Sequence, residues 1–206
     1  MNARTLRIPA LALAASLAAL ASAQNIAYNN FGPGDSYDTN DYHAVGSHSN
    51  FSWAMEFTSA TSGPLASISF AFSGWNSYSI ALCLDTGGDG PGAQLQSWVS
   101  SGNDNGLSYV YGNGSTSLTA GQSYWVTVEP PIDGAGYPWG DWFWSNSAYD
   151  PVDYADTIVP PNAWTPVPGA RSSAFRVETV PEPASLAGLA LAAAAFLTRR
   201  RKERAS

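Results

Sequence analysis

Hydrophobic and polar residues alternate along several short segments in the middle of the chain. The clearest segments are residues 51–57, 68–72, 123–129 and 175–178. Successive side chains of a β-strand point to opposite faces. A period of two therefore predicts strands with one face on a core and the other toward water.

The segment at 123–129 shows the two predicted faces. Its inward face carries Tyr124, Val126 and Val128. The residues between them are predicted to face solvent: Ser123, Trp125, Thr127 and Glu129.

Turn-forming residues separate the predicted strands. Clusters of Gly, Pro, Asn and Asp lie at 61–64, 85–92, 102–106, 112–114 and 120–121. Short strands punctuated in this way are typical of all-β folds. We predict an antiparallel, jelly-roll-like β-sandwich. The Pro-, Asp- and Trp-rich stretch at 130–168 lacks clean alternation and predicts a long irregular excursion, with one or two strands near residues 142–144.

The N-terminal residues have the pattern of a secretory signal peptide. Arg4 and Arg7 precede an apolar run at 8–21, and Ala21-Ser22-Ala23 fits the small-x-small cleavage rule. We predict a signal helix at 1–23, removed by signal peptidase between Ala23 and Gln24.

The C-terminal residues 180–206 have a second non-globular pattern. Pro181-Glu182-Pro183 precedes an uncharged apolar run at 184–198, and the basic residues Arg199, Arg200, Arg201 and Lys202 follow. Fifteen helical residues extend roughly 22 Å at 1.5 Å per residue. That is short of a hydrocarbon core of roughly 30 Å, so we expect a marginal apolar helix with its basic end in the cytoplasm.

This order of Pro-Glu-Pro, short apolar helix and arginine cluster resembles the PEP-CTERM sorting signal. The resemblance implies export in a Gram-negative bacterium, passage through the inner membrane and recognition by an exosortase that cleaves near Pro181, Glu182 and Pro183. It also implies delivery to the outer surface or to an extracellular polymer matrix.

The region between the two ends, 24–179, resembles choice-of-anchor R-type surface domains. The resemblance rests on strand and turn residues at 82–92, 118–126 and 174–177. The excursion at 133–164 is longer and richer in Trp than that pattern. The resemblance brings no catalytic residue with it.

Charge and cysteine content limit the function of this region. Residues 24–179 contain 14 acidic residues and two basic ones, Arg171 and Arg176, which gives a formal charge of −12. Such a domain repels phosphate backbones, so we expect no nucleic-acid partner. Cys83 is the only cysteine, so no disulfide can form within the chain. It lies in an apolar run, which predicts a buried, unreactive thiol.

The Trp-rich segment at 137–144 is the candidate ligand site. If Trp139, Trp142 and Trp144 were exposed and coplanar, their rings would stack on sugars while Asp141 accepted hydroxyl hydrogen bonds. The alternative is that these rings cover one end of the core.

Signals for metal binding and catalysis are weak. Asp85 and Asp89 in a glycine-rich turn are a weak calcium candidate, although a turn capped by Asp explains them equally well. His43 and His48 lack zinc-ligand spacing, and we expect both in solvated loops. No cofactor other than calcium is indicated.

Three functions from different classes fit these patterns. The first is a non-catalytic surface or matrix protein sorted by its tail. The second is a carbohydrate-binding module for extracellular polysaccharide. The third is a secreted hydrolase with a pair of acids that the sequence does not locate. We expect no enzymatic activity.

Overall fold

The computed structural model of the protein describes residues 24–46, 51–74, 77–87, 90–101, 106–130, 139–146, 154–158, 164–166 and 171–181. The predicted signal helix and C-terminal apolar helix lie outside these ranges. Within them, no helix has the length and apolar character that crossing a bilayer requires.

The described residues form thirteen strands and one 3₁₀ turn at Pro33–Asp35. The strands are β1 (Asn25–Asn29), β2 (Tyr37–Gly46), β3 (Phe51–Thr58), β4 (Gly63–Gly74), β5 (Ser77–Asp85), β6 (Pro91–Ser101), β7 (Leu107–Tyr111), β8 (Ser117–Leu118), β9 (Ser123–Glu129), β10 (Trp139–Ser145), β11 (Tyr154–Ile158), β12 (Thr165–Pro166) and β13 (Phe175–Thr179).

All strand pairs with a described register are antiparallel. The main hydrogen-bonded path runs β1-β13-β4-β10-β2-β3-β9-β5-β6, with β7 and β8 on β4 and β11 on β3. The path does not close, and it folds on itself so that β4 and β13 face β3, β9 and β5. The predicted antiparallel β-sandwich is confirmed.

The alternating segments form strands, and the turn clusters connect them. The segments at 51–57, 68–72, 123–129 and 175–178 lie in β3, β4, β9 and β13. Gly87, Gly106, Gly114 and Gly121 each have a positive φ, which glycine adopts at little cost.

The main core lies between the two layers. One layer contributes Ile68, Phe70 and Phe175, and the other contributes Ile80 and Val126; all are at most 1% exposed. Burial of this apolar surface is the main stabilising contribution to the fold.

Two glycines make room for the ring of Tyr78 in this core. Gly74 and Gly140 are cross-strand partners in β4 and β10. A Cβ added at Gly140 would overlap Cζ of Phe72 and would lie 2.8 Å from Cζ of Tyr78. Glycine is therefore required at 140 because the aromatic rings occupy the space of a side chain.

The predicted solvent face of β9 is wrong at two positions. Trp125 and Thr127 are each 2% exposed, although they point away from the main core. The outer face of this layer carries a second cluster, and Trp164, which directly precedes β12, packs against it. Both faces of the central strands are therefore covered.

The two arginines of the domain form ion pairs with its carboxylates. Arg171 Nη1 lies 3.1 Å from Asp38 Oδ2. Arg176 pairs with Asp35 at 2.7 Å and with Glu178 at 3.3 Å. Twelve formal negative charges remain after both arginines are counted.

The chain divides into two compact units. The sandwich occupies Ile26–Thr179. The second unit combines Met1–Asn25 with Val180–Ser206. Most residues of the second unit lie outside the described ranges.

Candidate functional site

The Trp-rich segment forms β10, which lies between β2 and β4. Trp142 is fully buried in the main core, and its Nε1 donates a hydrogen bond to the carbonyl oxygen of Ala174 at 3.2 Å. Its ring also makes an edge contact with Phe175, with centroids 6.0 Å apart. Because no face of Trp142 reaches solvent, its ring packs in the core and cannot stack on a bound sugar.

The other candidates of this segment are distributed around Trp142. Trp139 begins β10 opposite Gly46 of β2. Asp141 is half-buried, and its charge adds to the burial that raises the pKa of Tyr78 to about 12. Trp144 is also half-buried. Because Trp142 is buried, the predicted exposed set of three tryptophans is wrong at this position, and carbohydrate binding by this segment stays a prediction for Trp139, Asp141 and Trp144 only.

Trp144 belongs to a cluster that the sequence did not indicate. Its ring lies 5.5 Å from the ring of His43, and the guanidinium carbon of Arg171 lies 5.3 Å from its centroid. Arg171 also donates a hydrogen bond to the carbonyl oxygen of Ser145. This cluster joins β2 and β10 to the segment that leads into β13.

The prediction of a solvated His43 is wrong. His43 is 6% exposed in β2, its ring lies 4.3 Å from that of Trp53, and its Nε2 lies 2.9 Å from the carbonyl oxygen of Arg171. Burial lowers the pKa of His43 from 6.5 to about 4, although the hydrogen bond to Arg171 opposes this shift. His43 is a neutral structural residue at neutral pH. His48 lies outside the described residues.

Of the two carboxylates proposed as a calcium site, Asp85 lies within the described residues. Asp85 Oδ1 accepts a hydrogen bond from the backbone N–H of Gly87 at 3.0 Å, as in a turn capped by Asp. The same oxygen accepts a hydrogen bond from Nε1 of Trp125 at 3.3 Å. Asp89 lies outside the described residues. In the described part of the chain, no group of three or more His, Cys, Asp or Glu side chains is arranged to hold a metal ion.

The outer cluster, formed by Ala54, Ala81, Cys83 and Trp125 on the outer face of the β3-β9-β5 layer, contains the one cysteine of the sequence. Cys83 and Trp125 are cross-strand partners, and Trp164 packs on the cluster that they form with Ala54 and Ala81. Burial, with a smaller effect from the charge of Glu129, raises the pKa of Cys83 to about 11. The predicted buried thiol is confirmed, and it stays protonated at neutral pH. Burial also raises the pKa of Glu129.

The C-terminal end of the sandwich is well fixed. Thr179, the last residue of β13, is fully buried, and its Oγ1 lies 2.9 Å from Oγ1 of Thr61. Val180 is 40% exposed, and Pro181 is half-buried. The described structure ends at Pro181, the first residue of Pro-Glu-Pro.

Comparison with known families assigns the residues that follow. Residues 179–202 match the PEP-CTERM protein-sorting motif. The chain carries a PEP-CTERM sorting signal. This signal marks an exported exosortase substrate and implies surface localisation in a Gram-negative bacterium. The matched range includes the predicted sorting residues Pro181, Glu182, Pro183, Arg199, Arg200 and Arg201.

The PEP-CTERM match overlaps the sandwich only at Thr179, the last residue of β13. No curated protein matches the chain at a significant level. The resemblance to choice-of-anchor R-type domains is not confirmed. Signal-peptidase cleavage at Ala21-Ser22-Ala23, before Gln24, also stays a prediction, because residues 1–23 lie outside the described ranges.

Proposed function

We propose that the exosortase cleaves the chain near Pro181-Glu182-Pro183 and leaves the sandwich at the outer surface or in an extracellular polymer matrix. There the domain acts as a non-catalytic component. The observation that carries this proposal is the position of the sorting motif. It begins at Thr179, where the last strand of the sandwich ends.

Cleavage at this point removes no strand of the described fold. β13 pairs with β4 along its whole length and lies beside β1. Phe175 and Val177 of β13 are fully buried. A chain that ends between Pro181 and Pro183 keeps both residues and all strand pairs, so the released domain retains its core.

The charge of the domain suits a hydrated matrix outside the cell. The formal charge of −12 over residues 24–179 keeps copies soluble and repels anionic membranes. The ion pairs of Arg171 and Arg176 with acidic neighbours reduce the positive potential that these arginines present.

Intact mass spectrometry tests the proposal directly. Cells, membranes and medium of the native host are separated, and the protein is measured in each fraction. We expect a surface or medium species that starts at Gln24 and ends between Pro181 and Pro183. A membrane species that still carries residues 184–206 as the sole product would contradict sorting with cleavage.

The two other functions are open to separate tests. For carbohydrate binding, the processed protein is screened against extracellular polysaccharides, with Trp139→Ala as the variant that should lose binding.

For hydrolysis, the same polysaccharides are incubated with the protein and analysed for shortened chains. Either positive result would replace the non-catalytic role but would leave the sorting proposal intact.

A further inference from the structure

β6 is the longest edge strand among the described residues. It is the last strand of the main path and pairs only with β5. It has 11 residues, whereas the edge strands β1 and β7 have five each and β12 has two. An edge strand presents a row of backbone N–H and C=O groups that another strand can pair with.

The second half of β6 is regular, and the first half is not. Residues 96–101 pair with residues 77–82 of β5 without a break. Register shifts follow toward the other end, where Pro91 lies opposite Asp85. Bulges, proline and charge are devices by which natural edges avoid pairing. The regular half, Gln96–Ser101, lacks all three.

This half of β6 is uncharged and partly apolar, and the carboxylate of Glu129, which lies opposite Ser79 on β9, is two strands away from Val99. Residues 90–103 and 105–128 contain no Asp, Glu, Lys or Arg. Val99 on β6 is 78% exposed, and Tyr109 and Tyr111 on the edge strand β7 are 47% and 67% exposed. Nε1 of Trp98 donates a hydrogen bond to the carbonyl oxygen of Tyr111 at 2.8 Å, which ties the two edges together.

The charge distribution makes the β6 edge a place that a second copy of this chain can approach with little repulsion. Two domains of charge −12 repel each other at most relative orientations. Contact through β6 juxtaposes two uncharged strands and keeps the acidic surfaces apart. An isologous contact of this kind needs no further partner.

We propose that two copies of this chain pair through residues Gln96–Ser101 of β6, antiparallel and around a two-fold axis. The pairing extends the β11-β3-β9-β5-β6 layer of one copy into the same layer of the other. Val99, which projects to the outer face together with Ser97 and Ser101, is shielded by the partner's β6.

Cross-linking of introduced cysteines tests this arrangement on the protein as the host exports it. Leu95, Ser97, Val99 and Ser101 are each replaced by Cys in separate variants, and a short bismaleimide is added to intact cells and medium. Wild type is the control for Cys83, which is buried and whose pKa is about 11. Ile26→Cys is the matched control, because Ile26 is 52% exposed on the edge strand β1.

The expected result is a cross-linked dimer band whose intensity is highest for one β6 variant and lower for the variants at neighbouring positions along the strand. In an antiparallel pair around a two-fold axis, each step of one residue from the axis separates the two identical residues by about 7 Å more. Wild type and Ile26→Cys should stay monomeric. Equal dimer formation by Ile26→Cys, absence of dimer in all four β6 variants, or a band whose mass shows a different protein would each overturn the proposal.

A charge variant gives an independent readout. Val99→Glu places like charges next to the two-fold axis, whereas Ile26→Glu adds the same charge to another edge. Sedimentation velocity of the exported protein should show at least a tenfold weaker dimer for Val99→Glu and an unchanged dimer for Ile26→Glu. Equal dimer strength in wild type and Val99→Glu would place the interface elsewhere.

Discussion

His43 couples the stability of the sandwich to pH. Its pKa is about 4 in the folded protein, compared with 6.5 for an exposed histidine. Below pH 6.5 the unfolded chain binds a proton that the folded chain excludes, so stability is full above this pH and decreases as the pH falls toward 4. We expect the free energy of unfolding to decrease by about 2 kcal/mol from this residue between pH 7.5 and pH 5.

Urea unfolding of wild type and His43→Gln at both pH values measures this contribution. Gln can still donate a hydrogen bond to the carbonyl oxygen of Arg171 but does not titrate. Glu129, whose raised pKa gives the opposite pH dependence, is present in both proteins and cancels in the comparison. Identical pH dependence in the two proteins would show that His43 does not titrate in this range.

Trp142 stabilises the core, in contrast to its predicted role in ligand binding. It is fully buried and hydrogen-bonded through Nε1. We expect Trp142→Ala to lower the free energy of unfolding by about 3 to 5 kcal/mol, because truncation leaves a cavity. Trp142→Phe keeps an aromatic ring and should cost less. Denaturant unfolding checks both variants, and an unchanged midpoint for Trp142→Ala would contradict the core assignment.

At the scale of elements, Asn30 fixes the start of β13 against the end of β1. It is 3% exposed. Its Nδ2 donates hydrogen bonds to Oγ of Ser172 and the carbonyl oxygen of Ser173, and its Oδ1 accepts one from the backbone N–H of Phe175. The amide therefore provides partners for two buried backbone groups at the point where β13 begins.

Substitution of Asn30 should weaken the junction of β1 and β13. Asn30→Ala leaves these two backbone groups without the partner they now have, and we expect a loss of about 3 kcal/mol in denaturant unfolding. Asn29→Ala is the matched control, because Asn29 is exposed and its Oδ1 accepts a local hydrogen bond from the N–H of Phe31 at 3.1 Å. If both variants lost the same free energy of unfolding, the hydrogen bonds of the Asn30 amide would contribute no more than those of an ordinary local turn.

The elements with local signals were predictable, and those defined by distant partners were not. β3, β4, β9 and β13 each contain an alternating stretch because the side chains of one face pack in the main core. β6 carries mostly Ser, Gln and small residues, because as an edge strand it buries little. The burial of Trp125 depends on Trp164, 39 positions away, which packs over the outer face. Alternation within β9 cannot reveal such a cover.

The functional residues also fall into those with a local sequence signal and those that depend on distant partners. The sorting motif is a linear signal, so its residues were found from order and spacing alone. The cluster of His43, Trp144 and Arg171 forms only when β2 pairs with β10 and the segment before β13 returns beside them. His43 lies in a sequence rich in polar residues, and nothing local distinguishes it from a solvated histidine.

At the scale of the whole molecule, delivery of the sandwich to the surface depends on the sorting tail that follows its last strand. The apolar run at 184–198 is short for a bilayer, so the basic residues at 199–202 should hold its cytoplasmic end. Replacing Arg199, Arg200 and Arg201 with Ser removes most of this charge. We expect unprocessed protein that still carries residues 184–206 and a several-fold loss of the processed surface species.

The triple Lys variant at the same positions separates charge from recognition. If positive charge alone retains the helix, the Lys variant should be processed like wild type, because Lys and Arg both favour the cytoplasmic side. If the exosortase recognises guanidinium groups, the Lys variant should fail as the Ser variant does. Intact mass of the surface and membrane fractions distinguishes these cases. Normal processing of the Ser variant would contradict a role for the cluster and restrict the signal to Pro-Glu-Pro and the apolar run.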